Sequence, residues 1–137
     1  MDFVVRKYED NDFLATKDLL KEAFGVERVL KSINDSNHFQ LVACCEEMVV
    51  GYLLLTKVDD PIIARCYFLI NYVCVKKEYQ NKKIGYLLIR EAEKLAKDNN
   101  AFYLQLTSSR FRTFAHKLYK SCGFVIRDSD IFRKVLE

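Results

Sequence analysis

The residues best placed to do chemistry lie between Val73 and Tyr86, Val-Cys-Val-Lys-Lys-Glu-Tyr-Gln-Asn-Lys-Lys-Ile-Gly-Tyr. An apolar strand runs into a polar loop, Lys76–Lys83, and the loop opens a helix. The free N–H groups of a helix start, with the helix dipole behind them, make a ready anion site. Lys82 and Lys83 add positive charge beside it, and Gly85 leaves room for close backbone approach. A phosphate or pyrophosphate is the ligand that suits these features, although an ordinary strand-to-helix turn with a solvated lysine pair would read the same way. The loop contains neither GxxxxGK[ST] nor GxGxxG, which sets it apart from those two phosphate loops. A second group, Arg112, His116 and Tyr119, falls on a later helix. Taken alone, Tyr119 fits a core or rim tyrosine and His116 a structural or surface histidine.

Composition bounds the kind of molecule that holds these residues. A chain of 137 residues is expected to be a single domain over 1–137. Half the residues are hydrophobic and 30% charged, which excludes a disordered chain. The longest apolar runs, such as Val49–Leu55, are far too short for a membrane helix, and Met1–Asp10 carries charges where a signal peptide would be apolar. With 22 basic and 19 acidic residues, the net charge of +3 is low for a dedicated duplex-DNA binder. The five cysteines, Cys44, Cys45, Cys66, Cys74 and Cys122, are odd in number, lack a CxxC pair and mostly sit in apolar runs. They read as small buried hydrophobes in a reducing cytosol, so a cytoplasmic location is expected. Only His38 and His116 could help them bind zinc, so no metal is expected.

The elements follow from hydrophobic period. Phe3–Tyr8 reads as a strand, and Asn11 and Asp12 as caps for a helix through Phe13, Leu14, Lys17, Leu20 and Phe24. A second helical piece is expected over Val26–Ile33. Phe39–Cys45 and Met48–Val58 form a hairpin around Glu46-Glu47, and Asp59-Asp60-Pro61 breaks its second strand. Arg65–Val75 is nearly all apolar, as expected of a central strand covered on both faces. Ile84, Leu88, Ala92, Leu95 and Ala96 make one helical stripe that ends at Asn99-Asn100. Phe102–Leu106 alternates as a strand. Thr113–Cys122 is helical, with Gly123 as its left-handed cap. Phe124–Arg127 and Ile131–Leu136 read as two last strands. The order β-α-α-β-β-β-α-β-α-β-β predicts a mixed α/β sheet with helices on both faces.

Two segments carry a family resemblance. Val75-x-x-x-Tyr79-Gln80-x-x-x-Ile84-Gly85 resembles the acetyl-CoA signature of the GNAT N-acetyltransferase superfamily. Leu106–Phe124, with Ala-His-Lys-Leu-Tyr and a terminal Gly-Phe, resembles its second signature. The resemblance implies a three-layer fold, a mostly antiparallel sheet of about seven strands flanked by about four helices. It also implies acetyl-CoA as cosubstrate and a small-molecule or protein amine as acceptor, with no nucleic acid or membrane partner. A homodimer is an option, with Phe124–Leu136 as a pairing edge. Val73, Cys74 and Val75 would present backbone groups to the acetyl and pantetheine arm, where this strand splays from Phe102–Leu106. The amides of Gln80, Asn81, Lys82, Lys83, Ile84 and Gly85, extending to Tyr86, would hold the pyrophosphate. Tyr119 matches the tyrosine that protonates the departing CoA thiolate. His116 and Arg112, one and two turns before it, could face the cofactor.

Two positions depart from the family pattern. Lys83 replaces the first signature glycine, which a negative φ would tolerate. Asn71 aligns where many relatives carry Glu, and an amide cannot take a proton at neutral pH. An amine of pKa about 10.4 is neutral in roughly one molecule in 2500 at pH 7, so its deprotonation is worth up to ~4.6 kcal/mol. A relayed water, or Glu22, Glu46 or Asp59, could substitute for the missing base. The readings are therefore an N-acetyltransferase working by direct attack or a catalytically weak acyl-CoA sensor of the same fold. A nucleic-acid binder using Lys76, Lys77, Lys82 and Lys83 is a third, marked by steeply salt-dependent binding.

Overall fold

The computed structural model describes residues 2–25 and 35–137. Chain order is β1 (Phe3–Lys7), α1 (Phe13–Phe24), β2 (His38–Cys45), β3 (Met48–Asp60), β4 (Arg65–Val75), α2 (Ile84–Asp98), β5 (Leu104–Leu106) and α3 (Thr113–Ser121). Single 3-10 turns fall at Asp10–Asp12 and Lys77–Tyr79. The strands lie side by side in sequence order, antiparallel except for β4 and β5. That last pair is parallel because α2 carries the chain back along the sheet between them.

Each face of the sheet buries its own core. Leu19 and Leu20 of α1 pack on Val42, Cys44, Tyr52 and Cys74. Ile84, Leu88, Ile89, Ala92 and Ala96 of α2 pack on Leu41, Ala43, Leu53, Leu55, Phe68 and Ile70 of the other face. Gly51 sets the depth of that contact. A Cβ there would lie 3.1 Å from Ile84 Cγ2, 3.1 Å from Leu88 Cδ1 and 3.3 Å from Ala43 Cβ. The glycine lets the first turn of α2 sit directly on the sheet.

The β3–β4 ladder contains an irregularity that the sequence hides. Leu54 pairs with Tyr72 and Leu55 with Ile70, so Asn71 is an extra residue on β4. Before it, Cys66, Phe68 and Ile70 face α2; after it, Val73 and Val75 do, while Tyr72 and Cys74 turn toward α1. Thr56 Oγ1 donates to Asn71 Oδ1 at 2.5 Å across the bulge.

The described residues hold five strands and three helices rather than about seven and about four. The helical piece expected over Val26–Ile33 lies outside them. Phe124–Arg127 and Ile131–Leu136 run without strand pairing, because no described strand lies against them to complete a ladder. β3 continues through Asp59 and Asp60 before Pro61 ends it, and β5 begins only at Leu104. Asp12 precedes α1 but caps it with no side-chain hydrogen bond. Its carboxylate instead accepts from both Arg6 terminal nitrogens, at 2.8 and 2.9 Å, and from the Glu9 N–H at 2.8 Å. Arg6 therefore holds the Asp12 carboxyl below the usual carboxylate range, against the opposing effect of burial. Gly123 does cap α3: its φ is +91°, the Phe124 N–H bonds to the Tyr119 carbonyl, and its own N–H bonds to that of Lys120.

Candidate active site at the end of strand β4

β4 and β5 pair only from Phe68–Leu104 to Ile70–Leu106. β4 then runs on to Val75 while β5 ends, so the two strands part beyond the bulge and leave the β5 side of Asn71–Val75 without a ladder. Val73 and Val75 are half-buried there, and Cys74 is buried on the opposite face. Burial, with the charge of Glu22 adding to it, pushes the Cys74 thiol up to about 12. That thiol stays protonated at neutral pH and serves as packing.

The loop after β4 is tied down at its start. The Lys76 N–H bonds to the Val50 carbonyl at 2.8 Å, and the Lys77 N–H to Glu22 Oε1 at 2.8 Å. The Gln80 amide reaches back to the Val75 carbonyl at 3.4 Å, and Tyr79 packs edge-on against Phe3. Past these anchors the backbone turns left-handed twice, at Asn81 (φ +65°) and Lys83 (φ +64°). The condition under which lysine would be tolerated there, a negative φ, is not met: the chain needs the conformation that glycine adopts freely, and lysine takes it at a cost. The Lys83 carbonyl receives the Leu87 N–H as α2 begins. Left-handed residues leading into a helix start gather backbone N–H groups into an anion-binding concavity. Lys82 and Lys83 are both exposed beside it. Gly85 owes its place to packing rather than φ, since a Cβ would meet Leu118 Cδ2 of α3 at 3.0 Å.

Tyr119 projects from α3 and is 9% exposed, edge-on to Phe124. Burial raises its pKa, opposed in part by the positive charge of Arg112. With Leu106, Ser108, His116 and Phe124–Arg127 it lines a cleft of about 710 Å³. His116 directs Nε2 to the Ser109 carbonyl at 2.8 Å, so one ring nitrogen holds the β5–α3 loop in place. Arg112 stands exposed at the N-terminal end of α3. Sequence reasoning missed Ser108, whose Oγ is buried without a protein partner in this cleft. A serine in a polar loop carries no signal that could have singled it out.

Among the described residues no group of three or more His, Cys, Asp or Glu is placed to hold a metal ion. No described helix is long and apolar enough to cross a membrane. The cleft that Tyr119 lines includes no residue of β4 or of the loop that follows it, so the parted strand pair with its loop and the buried tyrosine are separate features of this end of the sheet.

Comparison with known proteins gives the class directly. Residues 5–124 match the model of the acetyltransferase (GNAT) family, and the chain belongs to that family. It is 27% identical to the spermidine N(1)-acetyltransferase of Thermoplasma acidophilum over 116 residues, 81% of this chain and 68% of that one. It is 31% identical to human N-acetyltransferase 8B over 83 residues, 61% of this chain, and spans only 37% of that relative's length. The fold superposes with a TM-score of 0.88 on an aminoglycoside acetyltransferase from an uncultured soil metagenomic sample, at 18% identity over 98% of this chain and 97% of that one. It superposes at 0.80 on a GNAT family acetyltransferase of Staphylococcus aureus, at 20% identity over 98% of this chain and 100% of that one.

Proposed function

We propose that this protein transfers acetyl from acetyl-CoA to a primary amine by direct attack, with Tyr119 as the acid for the leaving thiolate. One observation carries the reading. The β4–β5 ladder stops at Ile70 while β4 continues into a doubly left-handed loop at the start of α2. That juxtaposes an open strand edge for an extended amide-bearing arm with a concavity for its diphosphate.

The residues present fit the cosubstrate. Backbone groups of Val73, Cys74 and Val75 would hold the arm, and the N–H groups from Gln80 through Gly85 to Tyr86 the diphosphate. Lys82 and Lys83 would lend charge, and Arg112 would face the same ligand. His116 would fix the loop beneath it. When bound, acetyl-CoA supplies an electrophilic thioester carbonyl and a thiolate leaving group. Tyr119, kept neutral by burial, holds a proton at its phenolic oxygen. The amine must lose its own proton, the larger demand, since a thiol of pKa about 8.5 leaves more readily than a free amine deprotonates. Asn71 cannot accept it. Of the three carboxylates raised by sequence, Glu22 is bonded to the loop after β4, whereas Asp59 pairs with Cys66 at the strand's opposite end and Glu46 sits in the β2–β3 turn. The amines named for the similar proteins, spermidine and aminoglycosides, are polycationic, and a small polyamine is the acceptor we favour.

Thermal unfolding with acetyl-CoA, CoA and ATP, followed by acetyl transfer to a panel of amines, tests this. Both CoA ligands should raise the melting temperature by several degrees at ~100 times their Kd, and ATP should not. Tyr119→Phe should lower transfer by about 100-fold, the modest end of general-acid effects, with the CoA-induced shift retained. A CoA shift with no amine acetylated would favour the acyl-CoA sensor, the reading that the base-less bulge at Asn71 supports. No shift with either ligand overturns both.

A further inference from the structure

The apolar stripe of α3 is Ala115, Leu118, Tyr119 and Cys122, all packed into the core on the α2 side of the sheet. Phe114 lies off that stripe, in the first turn of the helix, and is 84% exposed. Single exposed apolar residues are ordinary on a protein surface. What sets this ring apart is the place where the helix holds it.

That place follows from how α2 and α3 lie against each other. Leu118 meets the first turn of α2, since a Cβ on Gly85 would lie 3.0 Å from Leu118 Cδ2. One turn further along α3, Cys122 lines a cavity of about 330 Å³ together with Glu93 and Lys97, which lie further along α2. The two helices therefore run side by side in the same direction. His116, Tyr119 and Lys120 take the other flank of α3, beside the C-terminal segment. Phe114 precedes Leu118 by four residues and so shares its face, one turn back. One turn back from Gly85, the chain is no longer helix but the loop with its left-handed residues Asn81 and Lys83. The Phe114 ring thus stands level with the anion-binding loop, on the flank of α3 that faces it. Lys117 Nζ lies over this ring, 5.8 Å from its centroid. The exposure of the residue leaves the other face of the ring to solvent.

An open aromatic face beside a diphosphate site suits a ligand that carries a planar base tethered to its diphosphate. A base stacks on a flat ring through its π-face and needs no hydrogen-bonding partner to do so. We propose that Phe114 is the platform on which the adenine of acetyl-CoA stacks, so that the protein selects free CoA thioesters over pantetheine that lacks the nucleotide. This inference rests on the acetyl-CoA reading above and adds to it a residue that sets specificity for the carrier.

Binding, not turnover, tests it. Calorimetry should show Phe114→Ala weakening CoA roughly 5- to 100-fold, the range for losing one stacked base, with the affinity for phosphopantetheine unchanged. Phe114→Tyr, which keeps the ring, should bind CoA like the wild type. The chain has no tryptophan, so Phe114→Trp installs a single fluorescent reporter at the platform. CoA should quench it by stacking; phosphopantetheine, which has the thiol arm and a phosphate but no base, should not. Unaltered CoA binding in Phe114→Ala, an equal loss for both ligands, or a tryptophan that CoA leaves unquenched would each overturn the platform while the wild type still binds CoA. A wild-type chain that does not bind CoA would instead overturn the acetyl-CoA reading, and this inference with it.

Discussion

Lys83 illustrates how one side chain can be wrong for its backbone and right for its place. Its φ of +64° puts Cβ against the following carbonyl, at a cost of about 1–2 kcal/mol that glycine avoids. Lys83→Gly should therefore stabilise the protein by about 0.5–1 kcal/mol, after the greater freedom of glycine in the unfolded chain is counted, and raise the melting temperature by a few degrees. The same change removes a cation from the rim of the anion site. CoA binding should weaken a few-fold in low salt, and calorimetry at two ionic strengths would show the difference shrinking as salt rises. Asp12 offers a second test. Its pKa is lowered by Arg6, so its contribution is present above the unfolded carboxylate value of about 3.9 and is lost as pH falls through the lower folded value. Asp12→Asn should cost about 1–2 kcal/mol at pH 7, the solvent-facing side of Arg6 limiting the loss. The difference from wild type should close as the pH is lowered through that range, followed by thermal melts.

The elements around the site hold it through small residues. Gly51 lets α2 rest on β3, and the start of α2 is also the end of the anion-binding loop. Gly51→Ala should cost about 1–3 kcal/mol, because one of the three atoms it would crowd is the Cβ of Ala43, fixed to its strand. It should also weaken CoA binding more than a substitution of similar cost on the α1 face, such as Val42→Ala; matched melts and titrations would separate the two. Much of this framework was legible beforehand. The β4 span, the α2 stripe, the β2–β3 hairpin and the Gly123 cap all have local causes: apolar period, turn residues and a left-handed terminus. What stayed hidden has non-local causes. The Asn71 bulge falls inside a run apolar on both faces, so no alternation exists to be broken. The left-handed φ of Lys83 follows from where β4 and α2 must be joined, not from lysine. Phe124–Arg127 and Ile131–Leu136 have strand composition, but a strand needs a neighbour, and among the described residues none pairs with them.

For the molecule as a whole, the sheet is one surface shared by two cores, and the functional region sits where the surface opens. A net charge of +3 adds little long-range attraction for a polyanionic ligand, so local donors must do most of the binding. If no protein base serves the amine, kcat/KM should climb about tenfold per pH unit below the amine's pKa, and the climb should persist in Glu22→Gln. A plateau near neutrality that is lost in Glu22→Gln would instead assign that carboxylate as the base. The bulge at Asn71 has a wider reach than its own hydrogen bond. It separates two stretches of β4 that obey opposite parity: even numbers face α2 before it, odd numbers after. Removing that single residue would leave every side chain of β4 chemically intact. Tyr72 and Cys74 would still face α1 and Val73 and Val75 α2, because skipping Asn71 leaves a strict alternation, so the bulge offsets the numbering of β4 without reversing either face. A deletion at Asn71 is therefore a change of length that the ladder can absorb, at the loss of the Thr56 hydrogen bond and of the local bend.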